Sequence, residues 1–400
     1  MAKIDEKNGF IQRASKKLFY SFQSCFHKII RNICTLLPLK KNYIVLESEG
    51  DFTDNIRVFY DYMLKHGYHQ KYKLIWIVHN PNKYEKHDNV EFVSRYGLFS
   101  FKANYYCAVS KFFLFSHPYW FKKRRLKQVI INTTHSAAQL KAPTQSQKLV
   151  PFDFLIICSP YCGEIKKLGF TVDNEHMLDI GMPRIDLMFQ HVDCISKLIQ
   201  NYQGQKIVLS MQTFKQSGAM QDSAMVDPYA LNVIHSEKEI QRLDQYLGVH
   251  NLILINKIHH LQNMDYISNV SLQNIVYLTD KELISVNCTV NHLLENADIL
   301  FTDYSSVFYE FLLKDRPIGF LIGDMQEYSR GFIMEEPLQE MPGVKMQSCN
   351  EIIDFLEHYQ EYEPKYALER ERIKNQVFSH PDAHNCERLY QWIENQNRSS

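Results

Sequence analysis

From Tyr43 onward the sequence alternates short apolar runs with stretches of helical periodicity, and this alternation restricts the fold more than any other feature. The runs are YIVLES (43–48), KLIWIV (73–78), VEFVS (90–94), KFFLFS (111–116), QVIINTT (128–134) and FDFLIICS (152–159), separated by helical segments such as 54–66 and 97–108. Strands covered by helices on both faces show no polar alternation, so runs of this kind predict βαβ units in a parallel sheet. A second series follows the polar segment near 201–205: KIVLSM (206–211), LILINKI (252–258), NIVYL (274–278), ADILFT (297–302) and PIGFLI (317–322). The economical reading is α/β with two doubly wound domains, 42–200 and 201–375. A chain of 400 residues with 45% hydrophobic content has enough apolar mass for both cores. The stretch 350–397 is helical in pattern and is expected to pack across the domains, with 376–400 as a helical tail.

Residues 1–41 follow another pattern. Ile11, Ala14, Leu18, Phe22, Phe26, Ile29, Ile33 and Leu36 recur at helical spacing, with Arg13, Lys16, Lys17, Lys28 and Arg31 between them and Lys40 and Lys41 after them. No acidic residue occurs from Asn8 to Lys41. A basic amphipathic helix is what an anionic membrane surface attracts, and the alternative is a helix docked on the body of the protein. A second basic run, Lys122, Lys123, Arg124, Arg125 and Lys127, favours the membrane. No apolar run reaches the roughly 18 residues of a spanning helix, so attachment would be peripheral. Forty-five basic residues balance forty-five acidic ones, and whole-molecule charge gives no reason to expect a nucleic-acid partner. Nine cysteines, odd in number and without a CxxC pair or a secretory leader, indicate reduced thiols. The expected location is the cytoplasmic face of the cell membrane.

One apolar run of the second series ends in Thr302, Asp303, Tyr304, Ser305 and Ser306 before a helical pattern resumes. Ligands of open parallel sheets bind beyond the carboxyl ends of the strands. At such a place two small hydroxyl side chains and the following amides can hold phosphate oxygens, although a serine there can equally cap the helix. No GxGxxG or Walker loop occurs, and no cluster of ligating residues has a spacing diagnostic of a metal. Neither a metal nor a cofactor is expected.

The segment ADILFTDYSSVFYEFLLKDRPIGF, with the later EYSRGF and MPG, closely resembles the CDP-glycerol glycerophosphotransferase family, the polymerases and primases of teichoic-acid-like polymers. Other matches fall in the family's order: SEGDFTDNIRVFYDYM (48–63), THSAAQLK (134–141) for its His-Gly-Thr-Pro-Leu-Lys motif, GMPRID (181–186), and INKIHH (255–260) for its Lys-x-His-Pro motif. The resemblance implies a GT-B arrangement, two Rossmann-like domains with the active site in the cleft. It also implies a CDP-glycerol or other CDP-alditol donor and a lipid-linked saccharide or polymer acceptor. Ser136 stands where the family usually has Gly, and His260 stands where it has Pro.

On this resemblance His135 is the candidate base for the acceptor hydroxyl, since imidazole accepts a proton near neutral pH. His259 is the candidate donor to the leaving phosphate, with His260 its competitor. Asp303 is assigned as an orienting carboxylate among the catalytic residues. Ser305, Ser306, Lys257, Arg184, Arg330, Lys141 and Thr302 are assigned to substrate binding. For Arg184 an ion pair with Asp186 or across the domains is the alternative to a phosphate fork, and Arg330 carries the same ambiguity. A sugar-nucleotide glycosyltransferase or epimerase of the same fold, or an inactive assembly module, are the competing functions.

Overall fold

The computed structural model describes residues 26, 29–30, 32–95, 100–117, 125, 127–143, 151–213, 227–259, 262, 270–326 and 328–398. Residues 26, 29–30 and 32–34 are helical; the rest of residues 1–34, the basic residues Lys122, Lys123 and Arg124, and His260 lie outside the described residues, and the helix expected to run to residue 41 instead ends at Cys34, before Pro38, with a strand beginning at Lys40. Ile29, Ile33 and Leu36 are solvent-exposed. No helix among the described residues is long and apolar enough to cross a membrane.

The first sheet contains β1 (Lys40–Glu47), β2 (Lys73–Val78), β3 (Val90–Ser94), β4 (Ser110–Phe115), β5 (Val129–Asn132), β6 (Phe154–Ile157) and β7 (Met177–Asp179). They run in the order β3-β2-β1-β4-β5-β6-β7, parallel throughout. The second contains β8 (Lys206–Met211), β9 (Leu252–Lys257), β10 (Ile275–Leu278), β11 (Ile299–Thr302), β12 (Ile318–Leu321) and β13 (Val344–Met346). Its order is β10-β9-β8-β11-β12-β13, again parallel. The short edge strands β7 and β13 were not separable as apolar runs. In β1 the side chains of Ile44 and Leu46 enter one core while Val45 enters another on the opposite face. Both faces are therefore buried, which is why these strands read as continuous apolar runs.

The chain crosses between the domains more than once. The helix Cys349–Val377 starts beside the second sheet, where Cys349, Ile352 and Phe355 join its core. It ends against the first domain, where Ser159 Oγ donates to the carbonyl of Gln376 at 2.7 Å. The last helix, Asn385–Arg398, packs on the first domain, with Tyr390 stacked on Tyr68 at 3.8 Å and Glu394 accepting from the Tyr72 hydroxyl at 2.7 Å. Asp186 accepts from the backbone N–H groups of Asn385 and Cys386 at the start of that helix, so no Arg184–Asp186 pair forms. Gly181, with φ of +75°, is the turn that makes this docking possible: a Cβ there would lie 1.8 Å from Asn385 Oδ1.

Candidate active site

In both domains the expected motifs, MPG before β13 excepted, follow the carboxyl ends of strands, and residues from the two edges line one cavity. On the first domain, β5 ends at Asn132 and the chain turns through Thr134, whose φ of +55° is a left-handed conformation rarely adopted by a β-branched residue. Asn55 holds it there. Its side-chain nitrogen donates to the carbonyls of Thr133 and Thr134 at 3.2 and 3.0 Å, and its oxygen accepts the backbone N–H of Arg184 at 3.0 Å. One buried amide thus joins the 48–63, 134–141 and 181–186 motifs and turns His135 toward the cleft.

His135 is exposed to the cleft yet surrounded by protein. Loss of hydration, followed by the nearby His117, Lys166, Arg184 and Lys141, holds its pKa well below the ordinary histidine value. The imidazole is therefore neutral at neutral pH, the form a base requires. Ser136 does not leave this loop slack: its hydroxyl accepts from Lys166 Nζ at 2.8 Å. Burial pushes Lys166 down to about 8.

Arg184 sits between the domains. It donates through Nη1 to Asp54 Oδ1 at 2.8 Å and through Nη2 to Glu310 of the second domain and to the carbonyl of His135. The interdomain ion pair, not a free phosphate fork, is what the structure contains. Neighbouring carboxylates hold the guanidinium protonated against its burial. Glu310 in turn accepts from Asn291 Nδ2 at 2.7 Å.

On the second domain, β11 delivers the serines, but two of the expected residues face away from the cleft. The Thr302 hydroxyl is buried and donates to the carbonyl of Met211 at 2.7 Å. Asp303 is fully buried, and its carboxylate accepts from Thr213 N–H and Oγ1 and from Ser305 N–H at 2.9 to 3.0 Å. Asp303 binds the loop after β8 to the loop after β11.

Ser305 and Ser306 are half-buried at the cleft wall. Ser306 occupies the cap position of the helix Val307–Phe311 without making a side-chain cap bond. That helix has five residues, so its dipole is small and hydroxyls and amides are the donors on offer. Lys257, at the end of β9, is buried and pairs with Asp280 Oδ1 at 2.9 Å. His259 follows it. Lys141 donates to Thr213 Oγ1 at 3.2 Å, and Arg330 Nε donates to the carbonyl of Ala142 at 2.9 Å. Both belong to an interdomain seam in which Lys141 and Phe332 form an antiparallel bridge.

A cavity of about 230 Å³ brings together His135 and Arg184 from the first domain with Lys257, His259, Ser305 and Ser306 from the second. Asp303, Thr302, Lys141 and Arg330 do not line it. Asp280, Asn291 and Glu310 do, and sequence reasoning missed them because nothing in their local pattern marks them. His117 was missed as well: its ring stacks on His135 with centroids 4.7 Å apart. No cluster of three His, Cys, Asp or Glu side chains suited to a metal occurs among the described residues.

Residues 29–395 match the family described as CDP-Glycerol:Poly(glycerophosphate) glycerophosphotransferase. The teichoic acid poly(glycerol phosphate) polymerase of Staphylococcus epidermidis is 25% identical over 346 residues, covering 76% of this chain and 44% of its own length. The chain thus spans less than half of that relative. The teichoic acid ribitol-phosphate polymerase TarK of Staphylococcus aureus is 25% identical over 420 residues, covering 96% of this chain and 76% of its own. Among solved structures, the wall teichoic acid polymerase TagF superimposes with a TM-score of 0.76 at 20% identity, covering 97% of each chain. A UDP-GlcNAc 2-epimerase from Neisseria meningitidis gives 0.52 at 12% identity, covering 88% of this chain and 99% of its own. These likenesses describe a GT-B-like fold of two parallel sheets.

Proposed function

Because the chain belongs to the CDP-glycerol:poly(glycerophosphate) glycerophosphotransferase family, we propose that it transfers glycerol phosphate, or a related alditol phosphate, from a CDP-alditol to a hydroxyl of a membrane-linked saccharide or teichoic-acid-like acceptor. The observation that carries this reading is the meeting of a neutral histidine from one domain with a histidine, a lysine and two serine hydroxyls from the other around one cavity. In-line attack by the acceptor oxygen forms a bond to the β-phosphorus and breaks the bond to the oxygen shared with the α-phosphate. The acceptor proton passes to His135 Nδ1 or Nε2, and cytidine monophosphate leaves with the electron pair. His259 and Lys257 face the charge that develops on the leaving group, while Ser305 and Ser306 donate to the phosphate oxygens.

Glycerol and ribitol differ by two further hydroxylated carbons, and relatives carrying either name match this chain at 25% identity. We keep the alditol class as the donor. Attachment at the cytoplasmic membrane surface is part of the same proposal, supported by exposed Ile29, Ile33 and Leu36 beside a basic N-terminal sequence. Chromatographic measurement of CMP release from CDP-glycerol and CDP-ribitol, with membrane extract as acceptor, tests the function. Acceptor-dependent CMP supports it. Release of a nucleoside diphosphate from a sugar nucleotide would favour the glycosyltransferase alternative, and donor binding without turnover would favour an inactive module.

A further inference from the structure

The reaction as written uses His135 and leaves the ring beneath it unexplained. Three neighbouring strands, β1, β4 and β5, end in a row at the cleft edge. The residues just past them are Glu49, His117 and His135. The His117 ring is stacked on His135 at 4.7 Å with 24° between planes. Its Nε2 lies 2.7 Å from Glu49 Oε2, and its Nδ1 lies 3.4 Å from Ser116 Oγ. A carboxylate within hydrogen-bond distance of its edge anchors the His117 ring, and the face of that ring fixes the plane of the His135 ring stacked on it.

We propose that His117, anchored by Glu49, is a positioning residue for the transfer reaction: its face holds the His135 ring in plane toward the cavity. This rests on the reading of His135 as the base. The other charged groups around His135 are accounted for. Lys166, on the helix Pro160–Lys167, donates to Ser136; Arg184 is matched by Asp54 and Glu310; Lys141 donates to Thr213. Across the cavity stand His259 and the Lys257–Asp280 pair. Among the side chains that keep His135 from protonating, His117 is the foremost. Face contact with no direct bond between the rings makes its influence electrostatic and steric, so no proton need pass from one to the other.

The test has two parts. In the unmodified, ligand-free protein, NMR should show Overhauser contacts between the imidazole protons of His117 and those of His135. Their absence overturns the proposal. In His117→Phe, which keeps a ring and loses both imidazole nitrogens, the His135 midpoint should rise. The acid limb of kcat/KM for CMP release should rise with it, whatever the height of the plateau. A lower plateau with the limb unmoved would make His117 merely structural. If no donor yields CMP at all, the proposed function fails, while the ligand-free spectra still decide whether the two rings are in contact and whether the His135 midpoint moves.

Discussion

The two walls of the cleft are built alike and used differently. Each is the carboxyl edge of a parallel sheet, yet the first domain presents His135 and Arg184 to the cavity, while the second presents His259 and two hydroxyls, turns Asp303 inward, and lines the cavity with carboxylates, Asp280 and Glu310, that are already paired with Lys257 and Arg184. Burial, with His117, Lys166 and Arg184 behind the ring, keeps the His135 imidazole neutral. Behind Ser305 lies Asp303, whose charge is consumed by Thr213 and Ser305 N–H groups. The difference matches the two tasks of the proposed phosphoryl transfer. A base must be free to accept a proton, and a diphosphate must meet donors whose neighbouring carboxylates are already paired. On that proposal function is divided between the domains, so the relation between the walls matters as much as either wall.

That relation is where substitution should have its largest structural effect. Glu310→Ala leaves the partly buried Arg184 with Asp54 of its own domain, removes the partner across the interface and should cost about 3 kcal/mol of stability, as for a buried ion pair robbed of one partner. Denaturant unfolding measures this, and unchanged stability would mean that Asp54 alone suffices. Asp303→Ala strands the Thr213 and Ser305 amides and should cost about 2 kcal/mol, with donor affinity falling because the serine loop loosens. If donor affinity fell without loss of stability, Asp303 would instead belong in the cavity. Replacing Ser305 and Ser306 together by Ala should weaken CDP-alditol binding about tenfold, or about 1.4 kcal/mol. A calorimetric affinity equal to that of the unmodified protein, with a lowered melting temperature, would reduce the serines to structural residues.

The smallest effect per residue concerns the segment ahead of β1. Each basic residue near anionic lipid contributes about 1 kcal/mol, so removal of residues 1–37 should abolish flotation with anionic vesicles while leaving the melting transition of the body intact. The cut falls before β1, which begins at Lys40, three residues ahead of the apolar run that announces it. Binding of the full chain should weaken as salt shortens the Debye length from about 10 Å at 0.1 M to about 3 Å at 1 M. Equal binding to neutral vesicles would remove the basic residues from the account, and aggregation of the shortened chain would favour a docked helix.

The sheets were legible in the sequence because parallel strands buried on both faces leave unbroken apolar runs. Met177–Asp179 and Val344–Met346 were not, since three residues at a sheet edge carry too little pattern. At the site, His135, His259 and the two serines stand in recognisable motifs. Asn55 and Glu310 do not, because their meaning lies in partners far along the chain: Asn55 with Thr134, 79 positions away, and Glu310 with Arg184, 126 positions away. The inward turn of Asp303 is hidden in the sequence for a related reason. A carboxylate after a strand has the same sequence signature whether it faces a ligand or the underside of a loop, and only packing distinguishes them.

The division of labour has one direct test: calorimetric titration of CDP-glycerol into His135→Ala protein, run beside CMP release by the same preparation. A base that does not hold the donor can be removed without loss of donor binding. The account predicts affinity within about threefold of the unmodified protein and turnover lower by roughly 10² to 10⁴. Normal turnover, or donor binding lost together with turnover, would contradict it.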